Sequence, residues 1–108
     1  CLHDMPRPDL AMAAIREAIA TDGVWLAKEI RSSPDWQKNR RNPVLAMMFA
    51  ASVSTCMASA MSTPDGMGLG TLGLDPATLA EMATAAGFTR FVQHEVDDPT
   101  NLYYDIRP

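Results

Sequence analysis

Two cysteines, Cys1 and Cys56, are too few for a disulfide framework. The fold must therefore be held by burial alone, and a reducing, cytoplasmic setting is expected. Positive charge is also short: nine Lys and Arg against thirteen Asp and Glu leave a net charge of −4. That balance excludes a general pull toward nucleic acid or anionic lipid, and Lys38, Arg40 and Arg41 are too few to reverse it. No leader peptide is expected, because His3, Asp4 and Pro6 break the first apolar residues at once. The chain opens on Cys1 rather than Met, so a preceding segment is expected. Residues 42–64 contain no Asp or Glu. This uncharged run is long enough to cross a bilayer, but its Ala, Ser and Thr content argues against a span, and no membrane partner is expected. His3 and His94 are far apart and no Cys/His cluster has ligand spacing, so no metal site is read. Cys56, inside the apolar run, reads as an inert thiol.

What is present fits one ordinary globular domain. Its 108 residues suffice for a core, and apolar (47%) and charged (20%) fractions argue against disorder. Cys1 and Leu2 read as the end of a buried strand, followed by a turn set by Pro6 and Pro8. Residues 10–20 predict a helix with Leu10, Ala11, Ala14, Ile15, Ala18 and Ile19 on its buried face. Gly23 is expected to end it in the left-handed conformation. Residues 24–30 predict a strand covered on both faces, since Val24, Trp25 and Leu26 are continuously apolar. A basic linker follows, in which Trp36 is read mainly as a packing residue.

Asn42 and Pro43 predict the start of a long helix reaching Ser62, packed on both sides. Met47, Met48, Met57 and Met61 are its candidate substrate-binding residues, because methionine adapts to irregular ligands; a core or interface helix is the alternative. Residues 68–73 match G-x-G-x-x-G, yet an apolar helix precedes them where a dinucleotide site needs a strand, so a turn or mobile lid is expected. Asp75 and Pro76 predict a further helix burying Leu79, Met82, Ala83 and Ala86 and stopping at Gly87. Residues 88–96 and 102–107 predict a terminal antiparallel hairpin, with Leu102, Tyr104 and Ile106 on one side of the last strand.

Three segments carry a family resemblance: Leu2-His3-Asp4 before a proline-rich helix start, the stretch 18–29 with Asp22-Gly23 before a strand ending in Glu29, and LAEMATAAGF at 79–88. Together they resemble the C-terminal half of a class I S-adenosylmethionine-dependent methyltransferase, of the small-molecule O-methyltransferase type that is often fused to a winged-helix domain. The resemblance implies an α/β fold: a partial Rossmann-like sheet with a terminal antiparallel hairpin, its last strand inserted between two neighbours. It implies His3 as the general base toward a small-molecule acceptor, a role suited to imidazole, and Met5 near the S-adenosylmethionine adenine. Asp4 is expected to turn the chain or orient His3. The family commonly orients its histidine with carboxylates from the long helix and the segment after it, and residues 42–64 offer none. The cofactor loop, and any winged-helix contact with nucleic acid, would lie before Cys1. The alternatives are a ligand-sensing or dimerisation domain of a transcriptional regulator, and a small interaction domain. An exposed sheet edge makes a homo-oligomer expected.

Overall fold

The computed structural model describes all residues, Cys1–Pro108. A 3₁₀ turn at Leu2–Asp4 leads into helix α1 (Pro8–Ala18), strand β1 (Trp25–Ile30) and a short helix α2 (Trp36–Asn39). Helix α3 (Leu45–Ala51), a π-helical turn (Ser52–Cys56) and α4 (Met57–Ala60) then run as one rod. Helix α5 (Pro76–Ala85) and strands β2 (Arg90–His94) and β3 (Asn101–Arg107) complete the chain. The fold is mixed α/β.

The three strands form one sheet in the order β1-β3-β2, with β3 antiparallel to both neighbours. The expected hairpin is therefore present, and the last strand lies in the middle. Its alternation is complete: Leu102, Tyr104 and Ile106 are buried, whereas Tyr103, Asp105 and Arg107 are only half-buried. In register, Trp25, Ala27 and Glu29 of β1 stand opposite Ile106, Tyr104 and Leu102. This face packs with Met12 of α1 and with Leu79 and Ala83 of α5 into one core that also takes in Leu2, Leu74 and Phe88. Burying each large apolar side chain there contributes about 1.5–3 kcal/mol.

Helix α5 follows its sequence signals closely. The Asp75 carboxylate accepts from the backbone nitrogens of Ala77 and Thr78, Pro76 opens the helix, and Gly87 closes it at φ +95°. Elsewhere the fold departs from expectation. Leu2 is a buried anchor within a 3₁₀ turn, not the end of a strand. On α1, Pro8 and Met12 are buried with Ala11, Ile15 and Ile19 beside them, while Leu10, Ala14 and Ala18 face outward. Alanines carry too little side chain to distinguish the two stripes. Gly23 is not left-handed. The chain leaves α1 through the extended backbone of Ile19, and Gly23 is needed because a Cβ there would stand 2.6 Å from Ile19 Cγ1.

Strand β1 is covered on one face only: Ala27 and Glu29 are buried but Leu26 is 68% exposed. The long rod is likewise not packed on both sides. Met48, Ser52 and Ala60 are buried, whereas Met47, Val53 and Met61 face outward. It begins at Leu45 rather than Pro43: Asn42 accepts from the Val44 nitrogen in the turn ahead of the helix, and no side chain caps the helix itself. No helix is long and apolar enough to cross a membrane. Within the basic linker, Trp36 packs on Phe49 with ring centroids 5.5 Å apart.

Candidate functional site

Four segments meet around His3. The 3₁₀ turn presents the imidazole, the end of β1 supplies Glu29, the π-helical turn supplies Cys56, and the glycine-rich loop closes over the turn backbone. Leu2, buried in the core, fixes the turn from one side. From the other side, the Gly70 nitrogen donates to the His3 carbonyl (3.2 Å) and the Met67 nitrogen to the Pro6 carbonyl (2.8 Å).

Those bonds decide the role of the G-x-G-x-x-G sequence. Gly68 and Gly70 adopt φ of +63° and +71°, so the glycines are conformationally required. A Cβ on Gly70 would stand 2.7 Å from Met57 Sδ and 2.9 Å from Ser52 Oγ, and the Thr71 nitrogen donates to that same serine. The amides of Gly70, Thr71 and Gly73 are spent inside the protein. The segment is a packed loop against the rod and the His3 turn.

Glu29 is the residue of this cluster that sequence reasoning missed. It occupies an inward position of β1, in phase with Trp25 and Ala27, and its side chain is 2% exposed. Its Oε2 lies 2.6 Å from His3 Nδ1, while Oε1 accepts from the backbone nitrogens of Leu2 (3.0 Å) and Cys1 (3.3 Å). Burial by itself raises the Glu29 carboxyl. The His3 hydrogen bond, with the Leu2 amide, opposes it, and the group is held below the ordinary glutamate range. The signal in the sequence was the parity: an acid on the core-facing side of a strand requires a buried partner. A carboxylate that orients His3 is thus present, from β1 rather than from the long helix.

An ionised carboxylate can only accept, so His3 Nδ1 donates to Glu29. Nε2 lies 3.0 Å from Asp4 Oδ1, but the contact lacks hydrogen-bond geometry and that oxygen is buried without a hydrogen-bond partner. Asp4 therefore meets His3 on the ring nitrogen opposite Glu29.

Cys56 reaches the same point because the rod is distorted. Ser54 Oγ donates to the carbonyls of Ala50 and Ala51, and Thr55 Oγ1 donates to the Ala51 carbonyl. Such back-bonding competes with the helical ladder, and the widened π-helical turn begins directly after Ala51, at Ser52. Half-buried Cys56 then brings its thiol near His3 and Asp4: the ligand-type atoms of the three residues all lie within 4.8 Å of one another. No ligand spacing was readable in the sequence because these donors converge only in space.

The other sequence candidates are dispersed. Met5 is 39% exposed at the end of the His3 turn. Met57 and Met61 cover the glycine loop, with their sulfurs against Gly70 and Gly68. Met48 is buried beside the Asn42 amide, and Met47 faces outward. None of the four candidate substrate-binding methionines lines the shallow cleft of about 220 Å³ that opens onto His3, Glu29 and Asn101. A larger cleft of about 480 Å³ lies between Arg31, Lys38 and Pro99 and shares no residue with the His3 cleft. There the Arg31 guanidinium is committed to the carbonyls of Asp98 and Asn101.

No protein-family model matches this sequence, and a search of curated proteins gives no match.

Proposed function

We propose that the intact protein transfers a methyl group from S-adenosylmethionine to a hydroxyl of a small-molecule acceptor, and that this chain carries the acceptor side. The observation that carries the reading is the buried His3–Glu29 pair at 2.6 Å. A carboxylate on Nδ1 orients the ring and stabilises the imidazolium formed when Nε2 takes the acceptor proton. The acceptor hydroxyl takes the place that Asp4 Oδ1 holds beside Nε2. The insertion of β3 antiparallel between β1 and β2 supports the reading, because it is the order of a Rossmann-like methyltransferase sheet at that end.

S-adenosylmethionine, when bound, supplies the electrophilic methyl group. Of its contacts this chain offers Met5 alone, and in the loop at residues 68–73 the Gly70, Thr71 and Gly73 amides are bonded within the protein. On this reading the cofactor loop belongs to another part of the intact protein. Calorimetric titration of S-adenosylmethionine and S-adenosylhomocysteine into this chain and into a form extended at its N-terminus tests this. Binding by the extended form, with methyl transfer abolished by His3→Ala, is the expected result. Binding by neither form would overturn the reading.

A second reading, a non-catalytic ligand-sensing or dimerisation domain of a transcriptional regulator, is favoured by exposed apolar side chains at Leu26, Met47 and Val53. β1 and β2 also each leave one edge unpaired, which suits a homo-oligomer. Sedimentation velocity across a concentration series would show a dimer on this reading, and a monomer throughout would remove it.

A further inference from the structure

Three donors of different chemistry converge at one point: a ring nitrogen of His3, a carboxylate oxygen of Asp4 and the thiol Sγ of Cys56, all within 4.8 Å of one another. They come from two segments more than fifty residues apart in sequence. Glu29 occupies Nδ1 of His3, so Nε2 is the ring nitrogen that faces Asp4 Oδ1, at 3.0 Å, and that oxygen is buried with no hydrogen-bond partner. A buried carboxylate oxygen needs a proton donor or a cation beside it. The contact lacks hydrogen-bond geometry, which favours the cation.

We propose that His3 Nε2, Asp4 Oδ1 and Cys56 Sγ form a binding site for one divalent transition-metal ion of the zinc class. The donor set selects the metal. Thiolate with imidazole disfavours magnesium and calcium, which take oxygen ligands, and suits zinc, whose bonds to nitrogen and oxygen are about 2.0–2.2 Å and to sulfur about 2.3 Å. Donors about 3.3–3.7 Å apart surround such an ion tetrahedrally. The observed 3.0 Å between Nε2 and Oδ1 is a few tenths of an ångström short of that range, and small side-chain rotations of Asp4 and Cys56 would set all three edges. As the zinc–sulfur bond forms, the thiol proton passes to solvent. Three protein ligands leave the fourth position to water. Glu29, on the far nitrogen of His3, is the outer carboxylate that metal-bound histidines generally require.

The site does not depend on methyl transfer. The two are mutually exclusive at one atom, because a metal on Nε2 takes the lone pair that would accept the substrate proton. Zinc is therefore expected to inhibit any activity that uses His3 as base.

The test uses cobalt(II) chloride as a spectroscopic substitute for zinc. The protein carries Cys1→Ser, so that Cys56 is its only thiol; Cys1 is exposed and outside the cluster. One equivalent of cobalt should give a thiolate-to-metal charge-transfer band and tetrahedral-type visible absorption, both displaced by zinc. Cys56→Ser should lose the charge-transfer band. Asp4→Asn should weaken binding by roughly tenfold or more, at least what loss of an outer-shell partner costs. Zinc protection of Cys56 from alkylation in the Cys1→Ser protein gives a readout that needs no substitution within the site. No charge-transfer band together with unprotected alkylation overturns the proposal, and so does a band that survives Cys56→Ser.

Discussion

Glu29 and His3 lie far apart in sequence, yet Oε2 of one and Nδ1 of the other stand 2.6 Å apart with both side chains buried. The contact joins the first turn of the chain to the sheet. Removing one partner leaves buried polar groups unmatched, and breaking such a pair costs about 3–5 kcal/mol. Glu29→Ala should thus lower unfolding stability by about 3 kcal/mol in urea with an unchanged denaturant slope. A loss below about 0.5 kcal/mol, within the range of ordinary surface substitutions, would show that the pair does not anchor the turn.

The same carboxylate makes stability pH-dependent. Its folded value lies below the ordinary 4.5, so the unfolded chain binds the proton more readily. The contribution is fully present above about pH 4.5 and is lost as pH falls through the lower, folded value. Glu29→Gln should flatten the acid limb of a stability–pH profile in that window and leave the neutral plateau merely lower.

Tyr104 is fully buried at the centre of β3, packed on Phe91 with ring centroids 5.0 Å apart, and its hydroxyl has no hydrogen-bond partner. An unmatched buried hydroxyl carries a desolvation penalty of about 1–3 kcal/mol. Tyr104→Phe should therefore leave stability unchanged or raise it by about 1 kcal/mol. Burial, reinforced by the Glu29 and Asp75 charges, pushes the phenol up to about 12. Stability should fall between about pH 10 and about 12 as the unfolded tyrosine ionises first. Tyr104→Phe should remove that part of the alkaline loss, as followed by circular dichroism.

Asp75 caps α5 through the Ala77 and Thr78 nitrogens and also accepts from Thr78 Oγ1 at 2.9 Å. Asp75→Ala should lower stability by about 1 kcal/mol, whereas Asp75→Ser should recover most of the loss. Equal effects of the two substitutions in thermal melts would exclude a capping role.

Gly87 ends α5 at φ +95°, and a methyl there would find room: its nearest neighbour would be Arg16 Cγ at 3.7 Å. The loss on Gly87→Ala should come from backbone conformation alone, about 1–2 kcal/mol. Pairing it with Arg16→Ala in a double-mutant cycle should give additive effects, because the added methyl leaves the Arg16 bond to the Gly87 carbonyl untouched.

The sequence by itself determined the elements whose signals are local. The Asp75-Pro76 start and Gly87 stop of α5 depend on capping atoms within three residues, and the alternation of β3 depends on neighbours two apart. It also placed His3 at a turn ahead of a proline-led helix. Tertiary structure alone decided which side of α1 faces the core, since its alanines fit either stripe. It alone converted a glycine-rich sequence into a clamp on the His3 turn, because the consumed amides belong to long-range bonds. Glu29 showed only as an acid with core parity, and its partner emerged when β1 and the first turn came together. Cys56 gave no sign at all. Its approach to His3 and Asp4 depends on a π-helical turn and on packing between segments distant in sequence, where local periodicity carries no information.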